Sequence, residues 1–154
     1  MEDGTYEVSG TATDEALNEG MDATSDELII ETTTPVVTID ELITNVVSPE
    51  LTGTTDDASA VIEVTVDGNA YMATNNGATW ALAAGTISPD LADGTYEVSV
   101  TATDAAMNAG TDATTDELVV DTTTPVVTVD ELITNVVSPE LTGTIDDATD
   151  PILT

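Results

Sequence analysis

Residues 1–60 laid on residues 91–150 agree at 45 of 60 positions without a gap, so the chain repeats itself every 90 residues. Internal repetition at a fixed period means that one structural unit is used more than once and that neighbouring units meet in a fixed way. Asp3-Gly4-Thr5-Tyr6-Glu7-Val8-Ser9 returns as Asp93-Gly94-Thr95-Tyr96-Glu97-Val98-Ser99, and Thr34-Pro35-Val36-Val37-Thr38 returns as Thr124-Pro125-Val126-Val127-Thr128. The expected division is residues 1–34 as the C-terminal part of one repeat, 35–124 as a complete repeat and 125–154 as the N-terminal part of the next. The chain reads as a window on a longer tandem array.

Composition narrows what such an array can do. The 154 residues include 31 Asp or Glu and no Lys, Arg or His, for a formal charge of −31. A polyanion of this kind repels phosphate backbones, which excludes nucleic acid as a partner. It also lacks the basic residues that hold a protein to an anionic membrane surface, and no apolar run approaches the length of a span, so membrane insertion is not expected. Absence of Cys and His removes disulfides, thiolate nucleophiles and the commonest general base and metal ligand. Met1-Glu2-Asp3 offers neither the basic start nor the apolar run of a secretory signal.

Val, Ile and Leu set among abundant Thr favour strands. Seven strand-like runs separated by turn residues fall inside the complete repeat: 36–39, 50–54, 61–66, 70–74, 78–82, 95–103 and 113–120. Asp67-Gly68 and Asn76-Gly77 are expected as primed hairpin turns. In 95–103, Tyr96, Val98, Val100 and Ala102 share one face and the Thr, Ser and Glu residues the other. Seven short strands in about 90 residues predict an all-β fold, an immunoglobulin-like seven-stranded antiparallel β-sandwich repeated in tandem. Tyr96 stands where such a fold places a tyrosine corner, with Val98 in place of the usual Cys. Trp80, the single Trp, is expected in the core, with a sugar-stacking role as the alternative. Asp116-Glu117 and Asp26-Glu27, assigned to the last strand, are expected to face solvent.

Thr101-Ala102-Thr103-Asp104 with Asn108 and Gly110, then Asp121-Thr122-Thr123-Thr124-Pro125-Val126-Val127-Thr128, then Pro139-Glu140-Leu141-Thr142-Gly143-Thr144, resemble the bacterial Ig-like repeats of giant RTX-type surface adhesins. The resemblance covers the whole chain. It implies an extender stalk, secreted by a type I route to the bacterial cell surface, stiffened by calcium at domain junctions, and serving cell adhesion or biofilm formation through a distal binding module. Two departures stand out. Met107 and Leu17 occupy a loop position where the family commonly has Gly, a substitution that resists positive φ and would reshape the site. Val46-Val47 and Val136-Val137 lie in the first loop, either with one Val plugging the core or as an apolar contact between domains or chains.

The sandwich topology gathers acidic residues at both ends. At one end, Asp56 and Asp57, Asp104 and Asn108, and the linker residue Glu31 should meet. At the other, Asp40 and Asp93 should lie near the outgoing linker residue Asp121 and the next pair, Asp146 and Asp147. Like charges within a Debye length of about 8 Å repel, and this chain has no cation to relieve them. Ca2+ suits such loops, because it accepts six to eight oxygen ligands in a flexible geometry. The alternative is a plain solvated acidic surface.

Three functions are weighed. The first is a structural extender whose partners are the neighbouring repeats. The second is a self-assembling extracellular fibre, other copies of the chain completing the terminal pieces by strand complementation; those pieces lack the middle strands and supply only 64 of 90 positions. The third is a weak carbohydrate-binding module. A two-carboxylate enzyme is not expected, since four aromatic residues and no cation leave little with which to build a pocket or orient a substrate.

Overall fold

A computed structural model describes residues 1–146. Its strands, in chain order, are β1 (Gly4–Tyr6), β2 (Thr11–Thr13), β3 (Glu19–Met21), β4 (Leu28–Ile30), β5 (Leu42–Thr44), β6 (Leu51–Thr54), β7 (Val61–Val66), β8 (Asn69–Asn75), β9 (Thr79–Leu82), β10 (Gly94–Tyr96), β11 (Val98–Thr103), β12 (Ala109–Thr111), β13 (Leu118–Val120), β14 (Val126–Val129) and β15 (Gly143–Asp146). No helix occurs among the described residues, so the fold is all-β and has the layered arrangement of an immunoglobulin-like sandwich.

One sheet runs β12-β11-β7-β8-β9-β6 and the other β10-β13-β5. Strand β8 pairs with β7 through Asn69–Ala73 and with β9 through Thr74 and Asn75, so the larger sheet changes partner along this strand. Alternation explains the packing between the layers. Ile62, Val64 and Val66 from β7 and Val98, Val100 and Ala102 from β11 all point inward and are buried. They close on Leu51, Trp80, Leu82, Leu118 and Val120, so among the described residues the hydrophobic core lies between residues 37 and 120. Trp80 is inside, 1% exposed, and its indole N–H donates to the Thr38 carbonyl at 2.8 Å, as a buried indole requires. The Tyr96 hydroxyl donates to the Ala92 carbonyl at 2.9 Å, closing the tyrosine corner, and Tyr6 does the same to Glu2 at 2.7 Å.

The structure departs from the expected strand plan in five places. Residues 36–39 keep the alternation, with Val37 and Ile39 buried, but form no continuous strand; they join the next strand by a bridge at Val37 and Thr55 and by the Thr38 and Asp40 N–H groups, which donate to the Thr54 and Thr52 carbonyls at 3.0 and 2.9 Å. Their loop instead contains β5, which pairs in parallel with β13, an exception to the antiparallel plan. The run 95–103 is broken at Glu97, where the chain leaves the smaller sheet as β10 and enters the larger as β11. The last strand is likewise split, β12 pairing with β11 and β13 with β10, while residues 112–117 cross between the sheets. Finally, Asp67 and Gly68 both take positive φ (49° and 75°), as a type I′ turn demands, whereas at the second hairpin the Asn76 N–H donates to the Thr79 carbonyl and Gly77 alone has positive φ, so the turn lies at Gly77-Ala78, one residue beyond the expected Asn76-Gly77 pair.

Two sequence ambiguities resolve. Met107 and Leu17 adopt φ of 70° and 68°, so these loops hold the left-handed conformation without glycine and are not reshaped. Val47 packs against the core and Val46 is half exposed, which favours the plug.

Candidate functional site

The end of the sandwich where residues 31–36 enter carries a cleft of about 330 Å³ lined by Glu31, Asp56, Asp57, Asp104, Ser59 and Pro35, among others. Each carboxylate is placed by local chain geometry. Asp104 and Asn108 bracket a tight loop: the Asp104 N–H donates to the Asn108 carbonyl at 3.1 Å, and the Asn108 N–H donates to Asp104 Oδ1 at 2.8 Å. Asn108 Nδ2 then donates to Asp104 Oδ2 at 2.8 Å and to the Glu31 carbonyl at 3.0 Å. One amide therefore ties the loop to the incoming linker. Although only 6% exposed, Asp104 has both oxygens hydrogen-bonded, which is how a buried carboxylate is tolerated.

Asp56 performs a second tie. Its Oδ1 accepts from the Val36 N–H at 2.7 Å, and its own N–H donates to the Val36 carbonyl at 3.2 Å. Asp57 is oriented by Ser59, whose N–H and hydroxyl donate to Oδ1 at 2.7 and 2.6 Å. The Ser59 hydroxyl, then its N–H, hold the Asp57 carboxyl below its ordinary pKa, so it is ionised at neutral pH. The same loop recurs at Asp14 and Asn18, where the Asn18 side chain and N–H lower the Asp14 pKa. Gly110 lies beside Pro35 so closely that a Cβ there would collide with the Pro35 carbonyl oxygen.

Glu31, Asp56, Asp57 and Asp104 thus share one cleft, with Asn108 bound to its wall. The donor chemistry fits a hard divalent cation, being carboxylate and carbonyl oxygen without nitrogen or sulfur. At the opposite end the residues are more dispersed. Asp93 accepts from the Thr122 N–H and hydroxyl at 3.0 and 2.7 Å and from the Thr123 hydroxyl at 2.9 Å, which lower its pKa, the Thr122 hydroxyl most. Asp121 Oδ1 accepts from the Thr123 N–H, and its own N–H donates to the Thr44 carbonyl. Asp40 is held by the Thr52 hydroxyl at 2.7 Å, on the first strand pair. Asp146 ends β15 opposite Val126, at the repeat position of Asp56, and Asp147 lies outside the described residues.

One expectation fails. Glu117 does not face solvent: it is 3% exposed, and its Oε2 accepts from the buried Val98 N–H at 3.1 Å. The strand break at Glu97 is the cause. Residue 117 precedes β13 instead of lying in it, so strand alternation does not govern its direction, and its carboxylate turns in to cap the start of β11. Glu27 makes the same bond to Val8 at 3.2 Å but stays exposed, since residues 1–34 lack the strands that cover Glu117.

The β-sandwich with an acidic, loop-built end has the architecture of an immunoglobulin-like domain. More particularly, the chain belongs to the bacterial Ig-like domain family, which matches residues 33–122. None of the curated proteins is similar to it at a significant level.

Proposed function

We propose that this chain is an extender segment of a secreted bacterial surface adhesin, a run of Ig-like repeats made rigid by calcium at the junctions between them and lacking enzymatic activity. The observation that carries the reading is the shared cleft: a linker residue, Glu31, and residues of two separate loops, Asp56, Asp57 and Asp104, converge on one space. An ion bound there would bridge the linker to both loops and restrict the hinge between repeats. Asp121 occupies the position of Glu31 at the next junction, as Asp146 and Asp147 occupy those of Asp56 and Asp57. Among the described residues no helix is long and apolar enough to cross a membrane.

Thermal unfolding by circular dichroism in millimolar Ca2+, in EGTA and in Mg2+, with X-ray scattering, tests this. At a free concentration of about 100 times the dissociation constant, one site adds roughly 2.7 kcal/mol to the folded state. A calcium-specific rise in midpoint with stiffening in scattering is expected. Asp57→Asn keeps the Oδ1 acceptor for Ser59 while cancelling the charge, and should diminish that rise. Equal midpoints in all three buffers would remove the calcium reading.

A second reading, assembly with other copies, is favoured by the β14–β15 hairpin. Val127, Val129 and Leu141 are 59%, 72% and 67% exposed, while their repeat equivalents Val37, Ile39 and Leu51 are 4%, 9% and 2% exposed. The remaining strands of the same repeat, or strands of another chain, would cover this face. Concentration-dependent growth of the isolated chain would favour the second source.

A further inference from the structure

The side of the sandwich, away from either end, holds a second group of carboxylates at the place where the chain changes sheets. In the first copy, Glu7, Asp22 and Glu27 each bring a carboxylate oxygen within 4.8 Å of the other two. Two ligands on opposite sides of a Ca2+ ion stand about 4.6–5.2 Å apart, so this triangle is no wider than one ion's coordination sphere. Glu97, Asp112 and Glu117 are the same three residues one repeat later. There the three oxygens do not close to the same 4.8 Å triangle, but the crossing places the carboxylates alike: Glu97 Oε2 accepts from the Asp116 N–H at 3.1 Å, Glu117 Oε2 from the Val98 N–H, and Asp112 Oδ2 from the Thr114 hydroxyl at 2.8 Å.

Acidic residues near one another are ordinary in a chain of this composition. Glu117 adds an independent observation. It is 97% buried, and its second oxygen, Oε1, is inside the protein with no hydrogen-bond partner. A buried carboxylate oxygen without a partner is costly, and nothing in this chain can supply a positive side chain, because it has no Lys, Arg or His. In the first copy Glu27, the exposed counterpart of Glu117, directs its carboxylate into the triangle with the equivalents of Glu97 and Asp112, and the repeat carries the same direction over to Glu117 by inference.

We propose that Glu97, Asp112 and Glu117 form a divalent-cation site for Ca2+ within each repeat, separate from the junction cleft, with Glu117 Oε1 as its buried ligand. The ion fastens the crossing segment 112–117 to the break between β10 and β11. The smaller sheet is thereby pinned to the larger at the point where no strand pairing joins them.

The test is calcium stoichiometry of the full chain by equilibrium dialysis, with unfolding midpoints in Ca2+ and EGTA. Glu117→Gln preserves size and the acceptor for Val98 while removing the charge. It should bind one fewer ion per chain than the parent and show a smaller calcium-induced midpoint shift. Glu97→Gln, at an exposed position that keeps its acceptor, should weaken the same ion at least tenfold and gives a readout if the Glu117 variant fails to fold. Asp57→Asn, at the junction, should leave this ion in place, so loss of either site is seen separately. If the buried Glu117 oxygen holds no ion, Glu117→Gln will bind as many ions as the parent and melt no lower in EGTA. An unchanged ion count in both Gln variants would overturn the proposal.

Discussion

Replacing Gly110 by Ala probes how tightly the incoming linker is docked. Gly110 sits in β12 opposite Ala102 with an ordinary strand backbone, so the cost is one of space. A Cβ would land on the Pro35 carbonyl oxygen, and Pro35 is itself buried, so either β12 or residues 35–37 must retreat by more than about 1 Å to reach van der Waals contact. The two hydrogen bonds between Val36 and Asp56, one to the Asp56 carboxylate and one between backbones, would be weakened, at about 0.5–1.5 kcal/mol each. Partial exposure of Val37, now 4% exposed, adds up to roughly 1.5–3 kcal/mol. With some relaxation the loss should be about 3 kcal/mol, or on the order of 10–20 °C in midpoint for a unit of this size. The repeat supplies its own control, since a Cβ on Gly20 would meet only the Ala12 carbonyl oxygen, at 3.9 Å. Gly20→Ala should therefore change stability by less than about 1 kcal/mol, and towards greater stability if at all, as Gly in a strand costs conformational entropy. Circular dichroism melts of both variants decide the matter. If Gly110→Ala melted no lower than Gly20→Ala, instead of about 10 °C or more below it, the close approach would be wrong.

Other perturbations test the charge and the backbone. Asp93 has a folded pKa depressed by its Thr122 and Thr123 hydrogen bonds, so its contribution is present above the unfolded value of about 3.9 and lost as pH falls through the folded value. The midpoint gap between parent and Asp93→Asn should accordingly be constant from pH 7 to 5 and close below about pH 4; a gap that widens in acid would contradict this. Met107→Gly relieves a side chain held at φ 70°, worth about 1–2 kcal/mol, against about 0.5–1 kcal/mol of added chain entropy, so denaturant titration should show a net gain of up to about 1 kcal/mol. With a formal charge of −31 and no basic side chain, NaCl should raise the midpoint by screening self-repulsion, whereas a chain of balanced charge would respond weakly.

Much of the fold is legible in the sequence because burial follows a period of two. Val98, Val100 and Ala102 are inside where alternation places them, and Tyr96 closes its corner although the strand it was assigned to breaks one residue later. The break itself is not legible, since Glu97 continues the alternation on the outer face while the backbone changes sheets around it. That hidden event misplaces Glu117, whose sequence neighbours suggest a solvent-facing strand position. The parallel β5–β13 pair is equally obscure, because Leu42-Ile43-Thr44 is three residues long and sits among turn formers. At the junction, the identities of Glu31, Asp56, Asp57 and Asp104 follow from knowing which loops meet. That Asn108 acts through its amide N–H groups, as a strut between loop and linker, required the geometry.

The absence of basic residues gives these carboxylates a common physical meaning. In most proteins an acidic cluster is relieved by a neighbouring Lys or Arg, and its stability then belongs to the chain alone. Here relief can come only from hydrogen-bond donors, protons or dissolved cations. The donors are used fully at Asp104 and Asp93, where amides and hydroxyls meet both carboxylate oxygens. They run out at Glu117, which has one oxygen satisfied and one without a partner. If dissolved cations supply that relief, as proposed, the rigidity of a repeat is coupled to the ionic composition around it, and the return of the same residues every 90 positions would multiply the coupling along an array. On the proposed reading, a change in free calcium that alters one repeat slightly would alter the reach of many repeats together, the physical property an extender needs.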